Sequence, residues 1–137
     1  MEISSIKEFR MSDVRNTVQR KLVLDAVRNL ANHPTPEEVY RYIHQEHPTI
    51  SKSTVYRNLH YLCEIGELLH LPTPNAADHI DHQTHSHFHC VCRQCKRVFD
   101  IEELQSDIPL PRDTVNFQYE KCHVFFSGVC SNCSHVK

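Results

Sequence analysis

Two Cys-x-x-Cys pairs, Cys92-Arg-Gln-Cys95 and Cys130-Ser-Asn-Cys133, constrain this chain more than any other feature. Each short pair can hold one edge of a tetrahedron, and the chain between them must return as a sheet to bring the second pair to the first. Four thiolates saturate a tetrahedral Zn(II) and leave no open position, so such a site is structural. A thioredoxin-like redox site needs one such motif opening a helix in an alternating β-α context, and here two motifs lie in a strand-rich region. All but one of the seven cysteines follow position 89. Their odd number fits a disulfide framework poorly. A buried apolar role is expected for Cys63.

With 137 residues, the chain holds one domain or two small ones. A half of about 70 residues is at the margin for a self-sufficient core and should need a metal, a partner or a dimer. Fifteen Lys and Arg against seventeen Asp and Glu give a net charge of -2, so any nucleic-acid surface must be local. No apolar run is long enough to span a membrane. The start, Met1-Glu2-Ile3-Ser4-Ser5, lacks a basic stretch leading into an apolar core, and the expected compartment is the cytoplasm.

The first half reads as helical. Val18, Leu22, Ala26, Val27 and Leu30 recur at helical spacing, and His33-Pro34-Thr35-Pro36 stops that helix. Pro36 suits the first turn of a second helix, with Glu37 and Glu38 near its positive end and Val39, Tyr42 and Ile43 inward; Pro48 is expected to end it. Ser51 can cap a third helix, whose inward stripe is Val55, Leu59, Leu62 and Cys63 and which Gly66 ends. Two helices joined by a short turn and followed by Leu68-Leu69-His70-Leu71 predict a helix-turn-helix with a β-wing, its tip at Pro72 to Asn75. After a His-dense stretch at 79–89, strands are expected at Phe88 to Val91, Val98 to Ile101, Val115 to Tyr119 and Val124 to Ser127. A short helix is expected near Glu102, stopping before Pro109.

A second metal site is suggested by His87-Phe88-His89, whose imidazoles share one face of a strand. Asp81 lies upstream and Asp100 on the next strand. Mixed nitrogen and oxygen donors suit Fe(II), Mn(II) or Zn(II).

The stretch His87-Phe-His-Cys-Val-Cys-Arg-Gln-Cys-Lys-Arg-Val-Phe-Asp100 resembles the H-x-H-x-x-C-x-x-C-x-x-x-x-[DE] signature of the ferric-uptake-regulator family. Ser51-Lys-Ser-Thr-Val-Tyr-Arg-Asn-Leu59 is similar to its recognition helix, Gly128-Val-Cys-Ser-Asn-Cys133 to its C-terminal zinc pair, and His33-Pro34-Thr35 to the loop that gives a metal ligand from the DNA-binding half. The resemblance covers nearly the whole chain, in order and at family spacing.

It implies an α+β architecture: a winged helix-turn-helix DNA-binding domain over 1–81, a hinge over 82–86 and a small α/β zinc-containing dimerisation domain over 87–137. It implies a structural Zn(II) on Cys92, Cys95, Cys130 and Cys133, and a regulatory Fe(II) or Mn(II) on His33, Asp81, His87, His89 and Asp100. It also implies a homodimer on a palindromic double-stranded operator, with Arg15, Ser53, Thr54, Tyr56 and Arg57 at the DNA. Neither a membrane nor a small organic substrate is expected as a partner.

Asp100 is similar to the peroxide-sensing branch, where iron-responsive members usually carry Glu. The resemblance to that branch implies that five ligands leave one octahedral position open, at which peroxide would meet Fe(II), a ligand histidine would be oxidised and repression lifted. Such a protein is a self-consuming sensor and not a turnover enzyme. Arg57 resembles iron-responsive members, so iron-responsive repression is the alternative, followed by zinc or manganese control. Thr17-Val18-Gln19-Arg20 departs from the family's Thr-Pro-Gln-Arg, and Cys122 stands where many members have a His that helps form an additional metal site, so that extra site is not expected. Arg20 and Lys21 are candidate phosphate contacts. The His-x-Glu with Pro-Cys-x-x-Cys pattern of zinc deaminases and the H-E-x-x-H pattern of metalloproteases are both missing.

Overall fold

The structure, a computed structural model, describes residues 11–84, 88–101, 116–118, 120 and 122–134. They fall into two compact units, the first formed by residues up to 71 with 78–84, the second by 72–77 with those from 85 onward.

Among the described residues, the first element of the first unit is helix α1, Met11–Leu30. It starts seven residues before the expected period, and its stripe is set by Val23, Ala26 and Val27, all at most 2% exposed. Val18, expected inward, is 59% exposed, because it lies five residues before Val23 and falls off that stripe. The helix ends in three consecutive left-handed residues, Ala31, Asn32 and His33, with φ of 50°, 44° and 53°. Pro34 disfavours right-handed helix at His33, so the chain leaves the helix abruptly there.

Helix α2, Pro36–His44, begins at a complete capping box. The Glu38 backbone N–H donates to Thr35 Oγ1 at 3.2 Å, and the Thr35 N–H donates to Glu38 Oε1 at 2.9 Å. Such a cap contributes about 1 kcal/mol. Val39 and Ile43 are buried as expected, but Tyr42 is 39% exposed and Tyr40 packs against the core instead. The helix ends four residues before Pro48, with Gln45 as its cap.

Helix α3, Lys52–Glu64, is capped by Ser51, whose Oγ accepts from the Thr54 N–H at 3.2 Å. Val55, Leu59 and Leu62 are buried and Cys63 packs against the core, as the spacing predicts. Asn58 is buried with them and donates from Nδ2 to the Thr54 carbonyl at 2.8 Å, which satisfies its amide internally. Gly66, at φ 82°, takes the left-handed position after the helix. The wing is an antiparallel pair, β1 Leu69–Leu71 and β2 His79–Asp81, with Leu69 opposite Asp81. The Ile80 N–H donates to the Pro34 carbonyl at 2.8 Å, tying β2 to the α1–α2 loop.

The second unit contains a three-stranded sheet of β3 Phe88–Cys92, β4 Val98–Ile101 and β5 Phe125–Gly128, in the order β4-β3-β5. The β3–β4 pair is antiparallel and the β3–β5 pair parallel. Strand β3 runs one residue past the expected end, and β5 is shifted one residue along. Of the strand expected at Val115 to Tyr119, both end residues lie outside the described residues, and 116–118 are not in a strand. Asn116 has φ 52°, which interrupts extended backbone, and Phe117 is 59% exposed. The helix expected near Glu102 lies outside the described residues. Among the described residues of this unit, the buried apolar side chains are Val91, Cys92 and Val98. No described helix is long and apolar enough to cross a membrane.

Candidate metal centres and nucleic-acid surface

The four cysteines of the two Cys-x-x-Cys pairs converge, with all four Sγ atoms within 4.8 Å of one another. Strand pairing brings them together. Cys92 ends β3, and the parallel register sets it opposite Gly128, two residues before Cys130. The Arg93 N–H donates to the Gly128 carbonyl at 2.8 Å, extending that register into the first knuckle. The first knuckle turns through Lys96 at φ 66°, whose N–H donates to the Cys92 carbonyl at 2.9 Å. The second closes through Cys133 and Ser134 N–H groups on the Cys130 carbonyl, at 3.1 and 2.9 Å.

The donor set fits zinc. Cys95 and Cys130 Sγ atoms are 3.8 Å apart. The edge of a Zn–S tetrahedron with bonds of about 2.3 Å is about 3.8 Å. Backbone N–H groups of Cys130 and Cys95 point at Cys92 Sγ from 3.4 and 3.5 Å and hold its thiol down to about 5. Cys133 is pushed up to about 12, first by hydrogen bonding with Cys130 and then by burial. The scaffold therefore favours the Cys92 thiolate and opposes the Cys133 thiolate beside it. A divalent cation is what allows all four to ionise together.

The regulatory candidates form pairs within each unit. In the first unit, His33 Nε2 lies 3.3 Å from Asp81 Oδ2, with the side chains 8% and 2% exposed. His33 is placed by the left-handed end of α1, and Asp81 by the last position of β2. Asp81 Oδ1 also accepts from the Gln83 N–H at 2.9 Å, and His82 Nδ1 is 3.8 Å from the same oxygen. In the second unit, His89 and Asp100 face each other across β3 and β4, with Nε2 and Oδ1 3.4 Å apart. The His89 ring stacks on Phe125 at 5.7 Å between centroids, which orients its imidazole. His87 lies outside the described residues. Imidazole nitrogens and carboxylate oxygens fit a divalent metal of the Fe(II), Mn(II) or Zn(II) type. A buried carboxylate such as Asp81 demands hydrogen-bond donors or a cation.

On α3, Ser53, Tyr56, Arg57 and His60 are exposed, opposite the buried Val55, Leu59 and Leu62. Thr54 is half-buried, and its hydroxyl accepts from Ser51 Oγ at 2.9 Å within the helix cap. Arg15 is exposed on α1. Arg20 lies over the Tyr61 ring, 4.1 Å from its centroid, and Lys21 pairs with Asp25 at 3.2 Å. Sequence reasoning missed Glu37, read only as a favourable charge at a helix start. Its carboxylate accepts from Lys52 Nζ at 2.8 Å, Arg41 Nε at 3.2 Å and Tyr56 Oη at 3.3 Å. The Arg41 contact follows from i,i+4 spacing within α2, but nothing in the spacing signals the Lys52 and Tyr56 contacts, because they depend on the angle between α2 and α3. Cys90 lines an open cavity of about 150 Å³ with Phe99, Phe126 and Val129, and burial raises its thiol.

Known proteins place this arrangement. The chain is 31% identical, over 94% of its length and 88% of the relative's, to a peroxide-responsive repressor of Staphylococcus saprophyticus. Its structure is similar to that of a Campylobacter jejuni peroxide stress regulator, at 25% identity and a TM-score of 0.69, covering 97% of this chain and 99% of that one. It also shares its fold with the ferric uptake regulator of Helicobacter pylori, at 20% identity and a TM-score of 0.66, over 96% and 92% of the two chains. Residues 11–125 match the model of the ferric uptake regulator family, and to that family this chain belongs.

Proposed function

We propose that this chain is a metal-dependent, DNA-binding transcriptional repressor that senses peroxide through Fe(II)-catalysed oxidation of a ligand histidine. It acts in the cytoplasm as a homodimer on a palindromic operator and turns over no substrate. The observation that carries the peroxide reading is Asp100, an Asp and not a Glu, set 3.4 Å from His89 across the β3–β4 pair. An Asp is one methylene shorter than Glu and keeps a position beside the imidazole accessible to a small oxidant. The peroxide-responsive relative at 31% identity supports the same branch.

On this reading the regulatory ligands are His33, Asp81, His87, His89 and Asp100. We assign His33 to a DNA-binding domain over 1–81 and His87, His89 and Asp100 to a dimerisation domain over 87–137, with a hinge at 82–86. A metal that binds one arrangement of the domains shifts the population toward it. In a dimer, that arrangement sets the spacing of the two recognition helices on a two-fold operator. The five ligand residues would hold Fe(II), which would supply the redox chemistry for a peroxide to be reduced to water as one of its oxygens is added to a ligand imidazole. The protein's own residues hold the imidazoles in place, with Phe125 stacked on His89.

A peroxide pulse tests this directly. The Fe(II) form should lose operator binding, and mass spectrometry should find one added oxygen on a peptide carrying His33, His87 or His89. The Mn(II) form should resist, and Asp100→Glu should bind metal and DNA but respond less. If the Fe(II) form keeps its DNA affinity and no ligand histidine gains oxygen, the peroxide reading fails. Iron-responsive repression then takes its place, a reading favoured by Arg57 on the exposed face of α3.

The DNA surface has its own test. Tyr56→Ala and Arg57→Ala should each weaken operator binding by about 1–3 kcal/mol if they read bases. Metal content and thermal stability should stay unchanged. Parental operator affinity in both variants would remove α3 from the recognition role.

A further inference from the structure

We infer that Glu37 is a specificity-determining residue, which restrains the basic and hydroxyl donors around α3 from indiscriminate phosphate binding. The inference rests on the reading of α3 as the recognition helix. Three donors from two helices converge on this one carboxylate. Lys52 is the first residue of α3 and Arg41 lies one turn along α2 from Glu37, while Tyr56 sits on the exposed face of α3. Their distances to Glu37 are 2.8 Å for Lys52 Nζ, 3.2 Å for Arg41 Nε and 3.3 Å for Tyr56 Oη. Lys52 Nζ also lies 5.4 Å from the centroid of the Tyr40 ring, so its ammonium is held on two sides.

The location gives this cluster its consequence. In a helix-turn-helix, the N-terminal residues of the second helix approach base edges while the first helix crosses the phosphate backbone. Lys52 and Tyr56 occupy the first of those positions and Arg41 the second. Left to themselves, two cations there would bind any duplex through phosphate neutralisation, which carries no sequence information. Glu37 offsets that charge and directs the Tyr56 hydroxyl. Glu37 is ionised near neutral pH like any ordinary carboxylate, and the hydrogen bond from Lys52 lowers its pKa further. Exposed ion pairs of this kind are weak enough for a correctly docked operator to exchange them. Any duplex that misaligns with α3 must still break them and meets the carboxylate's repulsion.

Glu37→Gln keeps the shape and an acceptor oxygen but removes the charge. The full-length, Mn(II)-loaded protein would be measured on a duplex selected by the parent from a random library and on a scrambled duplex of equal composition. Binding to the scrambled duplex should tighten several-fold at low salt. Its salt dependence should steepen by about 0.9 in log–log slope for each additional phosphate neutralised. The ratio of selected to scrambled affinity should fall. Tyr56→Phe should weaken selected-duplex binding less in the Glu37→Gln background than in the parent, because a neutral amide oxygen directs the hydroxyl more weakly than the carboxylate does. Circular dichroism and melting temperature should match the parent. An unchanged salt slope with an unchanged affinity ratio would overturn the inference and leave Glu37 as an ordinary acidic residue in a first helical turn. Arg57→Ala in the same assay separates the two readings, because an unaffected affinity ratio in that variant counts against α3 as the reader and not against Glu37 alone.

Discussion

Cys92→Ser is expected to strip the full-length protein of tightly held zinc and to unfold its second unit. Cys130→Ser should do the same. Structural Zn(II) sites bind with about 10–16 kcal/mol of apparent free energy, comparable to or larger than the roughly 5–15 kcal/mol that holds a whole domain folded. The described part of the second unit buries Val91, Cys92 and Val98 as its apolar side chains, too little to replace that energy. The first unit should survive, because its core of Val23, Val27, Val39, Val55, Leu59 and Leu68 is independent of the four cysteines of the Cys-x-x-Cys pairs. Metal analysis and amide exchange check both halves of the statement. Full zinc retention with protected β3 and β5 amides in either variant would sink the four-thiolate assignment.

The second large effect is expected from His33→Ala. The proposed regulatory site would lose its only ligand from the helical unit's α1–α2 loop, while the zinc knuckles would be untouched. Folding and zinc content should therefore be normal. Loss of an outer-shell partner alone costs about 10–100-fold in metal affinity, and loss of a direct ligand should cost at least as much. Metal-dependent operator binding should fall accordingly. Calorimetric titration with Mn(II) and a DNA-binding assay across metal concentrations check this. Unchanged metal affinity, with DNA binding still dependent on metal, would reduce His33 to a loop residue. The variant has a local consequence too. His33 has φ 53°, and its imidazole pairs with Asp81 at 3.3 Å. Replacing it leaves Asp81 buried with one favourable neighbour fewer.

The parts legible from sequence are those governed by local rules. Ser51 capping α3, Gly66 after its end, and Pro36 opening α2 are set by backbone stereochemistry within one turn. The stripe of Val55, Leu59 and Leu62 follows from helical periodicity. The Cys-x-x-Cys spacing declared a tetrahedral metal before any strand was placed. Where neighbours decide, spacing misleads. Val18 and Tyr42 are apolar or aromatic at plausible positions, yet exposed, because the face a helix buries is chosen by what packs against it. Asn116 ended an expected strand through a left-handed φ that its apolar neighbours did not advertise.

By itself, then, the order of residues determined the three-helix and wing arrangement, the four-cysteine set that fits zinc and the family, since caps, periodicity and ligand spacing act over a few residues. Only the tertiary structure decided that β5 runs parallel to β3 and so delivers Cys130 to Cys92. It alone set His33 against Asp81 and His89 against Asp100, and drew Lys52 and Tyr56 onto Glu37. Those meetings join residues up to 48 positions apart in the chain. Their distances are set by strand register and by the packing of helices on a shared core, neither of which is written in any short stretch of sequence.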